Sequence, residues 1–219
     1  MGGITSATPT VVVRPASVDD MQRVGEILAL GFSHKLGVAF GRRVDRVPHI
    51  LAQIEQFKFE RGISALFVAV AGERVVGVIE LANLPEESGD SWQQLRILWR
   101  EIGLLHALRA AIGLLLLYEE NPGDENTTYV CQIAVDPTLR GRGIGHNLLE
   151  QAETWGRARG KPDLALHVAD GNRARHLYER FGFQTKEKSG EWLTGRLFGI
   201  RTWLYMVKTC APIQTMEES

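Results

Sequence analysis

Only two cysteines, Cys131 and Cys210, occur in 219 residues. A disulfide-stapled scaffold is thereby excluded, and a reducing compartment fits better. The chain also lacks a surplus of either charge, with 25 basic residues against 26 acidic and a formal net charge of −1. General nucleic-acid or acidic-membrane binders carry a basic excess, so neither partner is expected. Long apolar runs are missing too. The most apolar short stretch, "AIGLLLL" from Ala111 to Leu117, is far too short to cross a bilayer. The opening "MGGITS" has no signal-peptide pattern. Gly2 and Ser6 match a loose myristoylation pattern, but a disordered start over residues 1–9 is the better reading. The expected location is the cytoplasm, without stable membrane association.

What is present is an ordinary globular composition, 44% apolar and 23% charged. "TVVVRPA" reads as a strand over Thr10 to Arg14, and "SVDDMQRVGEILALGF" as a helix with Ser17 as its cap. A second helix is expected from about Pro48 to Phe59. "ALFVAVAGERVVGVIELA" has the pattern of a β-hairpin, Ala65 to Ala71 and Arg74 to Leu81. Residues 91–118 carry apolar side chains at helical spacing, predicting one or two helices packed on a sheet and broken near Gly103 or Gly113. "TYVCQIAV", Thr128 to Val135, is apolar enough for a central strand. A helix from about Ile144 to Arg159, the strand "DLALHVA", a short helix in "NRARHLYERFG" and two final strands complete the pattern. With no repeat or linker, one mixed α/β domain over 10–208 is expected, with a helical insertion at about 91–118 and a tail over 209–219.

The stretch "LRGRGIGHNLLEQAETWG", Leu139 to Gly156, sets three glycines at alternate positions before a helix. Strand, glycine-rich turn and helix together bring free backbone N–H groups and a positive helix end to one point, suited to phosphate oxygens. A P-loop needs Lys and Ser/Thr at its close, where His146 and Asn147 stand. A dinucleotide fingerprint needs a glycine where His146 stands. Both readings fail.

"VDPTLRGRGIG", Val135 to Gly145, instead resembles the acyl-CoA-binding motif of the GCN5-related N-acetyltransferase (GNAT) superfamily, with Arg140, Gly143 and Gly145 at its defining positions. "NRARHLYERFGF" is similar to that family's Asn-to-Gly-Phe segment, although the alanine stands at Ala174, two after Asn172. "VRPASVDD" is similar to its opening strand and helix. The resemblance implies a mixed, mostly antiparallel sheet flanked by helices, with the strands at Thr128–Val135 and Leu164–Val168 splayed apart. Acetyl-CoA is the implied co-substrate. Its pantetheine arm would lie along backbone such as Ile133, Ala134 and Val135, and its pyrophosphate on Arg140, Gly141, Arg142, Gly143, Ile144 and Gly145. The three glycines would then be bare so that no Cβ obstructs that approach.

Acetyl transfer to an amine needs a neutral amine, a polarised carbonyl and a proton for the leaving thiolate. Tyr178 matches the family's general acid; read without the family, it is a half-buried packing residue. Asn172 bonds the pantetheine arm, caps its helix, or does both. The base is not evident. The family's central-strand carboxylate has no counterpart among Tyr129, Val130, Cys131 and Gln132, so Glu80 is the nearest candidate, then Glu119 or Glu120. The ordinary reading of all three is a solvated surface charge. Cys131 in its apolar strand is expected to be an inert core thiol. Arg42, Arg43 and Arg46 form a basic turn where the family places acceptor loops. The histidines show no metal-ligand spacing, so no metal is expected. The expected activity is transfer of acetyl to a primary amine of a small molecule or peptide. A non-catalytic acyl-CoA sensor, an enzyme for longer acyl-CoAs and a homodimer all stay open.

Overall fold

The computed structural model describes residues 10–82, 90–115, 126–190, 196 and 199–210. Its strands are β1 (Val11–Pro15), β2 (Ser64–Ala71), β3 (Arg74–Ala82), β4 (Thr127–Val135), β5 (Asp163–Ala169), β6 (Gln184–Gly190) and β7 (Thr202–Lys208). Among the described residues they form one sheet in the order β1-β2-β3-β4-β5-β7-β6. Every neighbouring pair is antiparallel except β4 and β5. The β2–β3 hairpin closes where the sequence marks it, at Gly72, whose φ of +64° suits a tight turn. Pro15 is tolerated as the last residue of β1 because that strand is an edge.

The helices are α1 (Met21–Gly31), α2 (Ser33–Phe40), α3 (Val47–Glu60), α4 (Asp90–Ile102), α5 (Leu104–Leu115), α6 (Ile144–Arg157) and α7 (Arg175–Phe181). The helix expected from Ser17 begins instead with a 3₁₀ turn at Val18–Asp20. The Asp20 carboxylate accepts from the Ser17 N–H and from Arg14, which draws the turn toward β1. The α2 helix is not signalled in the sequence.

One face of the sheet is covered by α6, which buries Ile144, Leu148, Leu149, Ala152 and Trp155 against Ile79, Leu81, Val130 and Leu166. Each fully buried leucine there contributes about 2 kcal/mol. The other face is covered by α1, through Val24, Ile27 and Leu28 on Val68, Val78 and Ala134. The α4–α5 hairpin breaks at Gly103, at φ +78°. It does not pack on the sheet as expected. It forms an outer layer, with Leu98, Ile102, Ala107 and Ala110 buried against Leu36, Ile50 and Ile54 of α2 and α3.

Candidate functional site

The parallel ladder between β4 and β5 is short. Thr127, Thr128 and Tyr129 pair with Asp163, Leu164 and Ala165, and then the strands part. The Tyr129 hydroxyl and His167 Nδ1, 2.8 Å apart, tie the strands together just where pairing ends. Beyond that point β4 runs on to Val135 and β5 to Ala169 with no ladder between them. The Asp136 N–H donates to Val76 of β3, and with a period of two the backbone groups of Ala134 face Val78 of β3 as well. Those of Ile133 and Val135 face the β5 side, have no ladder partner there, and can bond an extended ligand as an added strand would.

Asp136 holds the far end of β4. Buried at 2% exposure, it accepts the Thr138 N–H at 3.0 Å and the Thr138 hydroxyl at 2.7 Å. Arg23 and Arg74 reach its other oxygen at 2.5 and 3.0 Å. The Thr138 bonds and the two guanidinium groups hold this carboxyl below its ordinary value despite burial. The loop from Arg140 therefore leaves a fixed anchor.

Two of the three glycines are demanded by the backbone. Gly141 and Gly143 sit at φ +78° and +80°, where an L side chain is strained, and both have open space above them. Gly143 is the cap residue of α6 and offers no side chain to close it, so the first N–H groups of that helix stay available. Gly145 differs. A Cβ there would stand 2.8 Å from Leu177 Cδ2, so its bareness lets α7 seat on the start of α6, a packing reason beyond the one expected.

Arg140 and Asn172 line the same cleft of about 590 Å³, with Gly31 to Ser33, Ala169 to Arg173 and Gly199 to Thr202 around it. Gly31 approaches Ala134, which places this cleft at the opening between β4 and β5. The Asn172 Oδ1 accepts the Ala174 N–H at 3.0 Å, so it caps the turn ahead of α7, whose own cap residue is Ala174. Tyr178 is buried on the α6 side, its ring edge-on to Phe183 at 5.8 Å. Burial alone raises its pKa, which keeps the phenol protonated. No described residue takes its hydroxyl proton in a hydrogen bond. Tyr178 follows Leu177, the residue that packs on Gly145, and does not line the cleft.

The carboxylates lie on the opposite face. Glu80 is 1% exposed, which overturns its reading as a solvated surface charge. It pairs with Lys58 of α3 and accepts the Gln132 Nε2 at 2.5 Å. Glu55, also buried, accepts from the same two groups, Lys58 at 3.5 Å and Gln132 at 2.9 Å, and its second oxygen has no hydrogen-bond partner among the described residues. Burial first, and then the neighbouring Glu80 charge, push Glu55 up to about 7. Burial alone would strip Lys58 of its proton, but the two carboxylates reverse this and hold its pKa above the ordinary value. Sequence reading missed Glu55 and Lys58. Their signal was present: both fall on the apolar spacing of α3 set by Val47, Ile50, Leu51 and Ile54.

Cys131 is the second correction. The ladder between β3 and β4 pairs Glu80 with Gln132 but Leu81 with Val130, so Cys131 is the extra residue of a bulge. It is exposed, not an inert core thiol. An exposed residue in the middle of a central strand shows that β4 opens to solvent there. Arg42, Arg43 and Arg46 lie on an exposed 3₁₀ turn, Gly41–Arg46. Glu119 and Glu120 fall outside the described residues. Among the described residues no cluster of three or more His, Cys, Asp or Glu side chains is placed to hold a metal ion, and no described helix is long and apolar enough to cross a membrane.

Residues 39–183, well over half of the chain, match the acetyltransferase (GNAT) family. The chain belongs to that family. The chain is 34% identical over 116 residues to mycothiol acetyltransferase of Beutenbergia cavernae, a match covering 52% of the chain and 37% of that relative. An uncharacterized N-acetyltransferase of Methanocaldococcus jannaschii is 41% identical over 63 residues, 28% of each protein. The chain thus matches well under half the length of these curated relatives. Among solved structures, ribosomal-protein-alanine N-acetyltransferase of Brucella melitensis shares the fold at a TM-score of 0.58 and 18% identity, over 91% of this chain and 99% of that one. The PaiA N-acetyltransferase of Thermoplasma acidophilum, solved in complex with coenzyme A, does so at 0.57 and 14%, over 92% and 99%.

Proposed function

We propose that this acetyltransferase moves acetyl from acetyl-CoA to a primary amine of a small molecule or peptide, by direct attack while both are bound. The observation that supports the reading is the gap between β4 and β5, which opens after the Tyr129–Ala165 pair and leads along β4 toward the glycine loop. Ile133 and Val135, on either side of Ala134, offer unpaired backbone to the pantetheine arm, and Asn172 stands across the gap. Arg140, Arg142 and the N–H groups from Gly141 to Gly145 receive the pyrophosphate. The amine nitrogen attacks the thioester carbonyl from the α3 side, and the carbon–sulfur bond breaks toward the α6 side. Tyr178, kept protonated by burial, gives its proton to the departing thiolate. Glu80, paired with Glu55, takes the amine's proton through water. The amine adds to the carbonyl carbon, and the tetrahedral intermediate collapses by breaking the carbon–sulfur bond, with the proposed acid and base on opposite faces of the sheet.

The substrate sites need no nucleic acid or membrane, and we place the protein in the cytoplasm as one domain over 10–208. The test is calorimetry with acetyl-CoA and longer acyl-CoAs, run beside thiol release over a panel of polyamines, amino acids, aminoglycosides and N-terminal peptides. Amine-dependent thiol release with acetyl-CoA supports the reading. Tight binding with no release from any amine would replace it with a sensor.

A further inference from the structure

Gln132 stands where β4 opens, one residue after the bulged Cys131 and directly across from Glu80. Its side-chain nitrogen lies 2.9 Å from Glu55 Oε1 and 2.5 Å from Glu80 Oε2. The amide turns its NH₂ toward both carboxyl groups and donates one proton to each, so both protons are used. The carbonyl oxygen is consequently aimed away from the pair. No described residue donates to it. Gln132 is itself only partly buried, and its neighbour Cys131 is exposed, so solvent and ligands can reach this part of the strand.

We propose that Gln132 Oε1 is the group that orients the attacking amine, by accepting one of its N–H bonds beside the gap between β4 and β5. This deepens the transfer reading above and rests on it. A neutral carbonyl has an advantage here. A carboxylate at this position would favour the ammonium form, which cannot attack, whereas an amide oxygen holds the neutral amine without raising its pKa strongly. The two buried carboxylates and Lys58 fix the amide before the acceptor arrives, so little orientation is lost on binding. The acceptor class follows: an amine that keeps an N–H to donate while its lone pair points at the thioester carbonyl, which primary amines satisfy and tertiary amines do not.

The experiment uses the full chain and the best amine from the thiol-release panel, with KM for that amine and for acetyl-CoA measured separately. Gln132→Met removes the oxygen at similar length. The proposal expects kcat/KM for the amine to fall about tenfold or more, the loss of a well-placed hydrogen bond. KM for acetyl-CoA should change less than twofold. Glu55→Gln is the second variant: with a neutral amide in place of one carboxylate, the Gln132 amide can turn over, so KM for the amine should rise in a folded protein. A merely structural Gln132 would lower the melting temperature of both variants and leave the amine KM of the folded enzyme unchanged. That result overturns the proposal while the transfer reading stands. No amine-dependent thiol release from the wild type overturns both.

Discussion

Gly145 and Leu177 meet across the α6–α7 junction so closely that a single added carbon would stand 2.8 Å from the leucine's Cδ2. This contact joins the two sequence motifs of the chain, the glycine loop and the segment holding Tyr178. Gly145→Ala should therefore act at a distance. The methyl pushes on the flexible end of Leu177, a modest overpacking of about 1 kcal/mol, or roughly 2–4 °C in melting temperature. Because Tyr178 follows Leu177, kcat should fall more than acetyl-CoA affinity. Calorimetry and steady-state kinetics on one preparation check this; a fall in affinity alone would remove α7 from the explanation.

Gly143→Val tests the loop itself. The native φ of +80° is strained for any L residue and more so for a β-branched one, at about 1–3 kcal/mol. Nothing within 4 Å blocks the new side chain in the free protein, so the variant should fold. It occupies the space in which we place the pyrophosphate. Affinity for CoA should drop at least tenfold in a titration, and unchanged affinity would take the loop out of the binding site.

How far the sequence carried the fold depended on how local each signal was. The β2–β3 hairpin, the α6 stripe and the order of the final strands rest on neighbours in the chain, and the structure has them in place. The gap between β4 and β5 came through the family motif and not from any periodicity. Glu55, Lys58 and Gln132 meet across separations such as 77 residues, from Glu55 to Gln132, which no local pattern encodes. A charge on an apolar helix stripe marks a buried partner without saying which. The α4–α5 hairpin shows the same limit, since its apolar spacing predicts a buried face but not that α2 and α3 would be its cover. The bulge that exposes Cys131 is a register shift and leaves no mark in composition.

The Glu55 pair makes stability depend on pH in an unusual direction. Its carboxyl titrates at about 7 in the folded protein against an ordinary 4.5. The folded state therefore holds the proton more tightly than the unfolded chain, and that contribution is complete below about pH 4.5 and lost as pH rises through about 7. Glu55→Gln is neutral at every pH. Relative to wild type, it should gain of the order of 2 kcal/mol between pH 5 and pH 8. Melting curves across that range decide it. A constant difference between the two proteins would mean that Glu55 is ionised throughout.

Tyr178→Phe separates packing from chemistry at the most sharply assigned residue. The ring is buried against Phe183, and phenylalanine keeps that contact. The hydroxyl donates to no described residue, so its removal breaks no hydrogen bond among the described residues, and the melting temperature should move little. If the phenol protonates the thiolate, kcat falls by about 10²–10⁴, the usual contribution of a general acid. Acetyl-CoA affinity should hold, because the contacts assigned to it come from β4 and the glycine loop. A packing role predicts kcat of the folded enzyme near that of wild type, because phenylalanine keeps the ring contact. Thiol-release kinetics beside a thermal melt read both quantities. A variant with near-native kcat would leave Tyr178 in the core and require another donor on the α6 side of the gap.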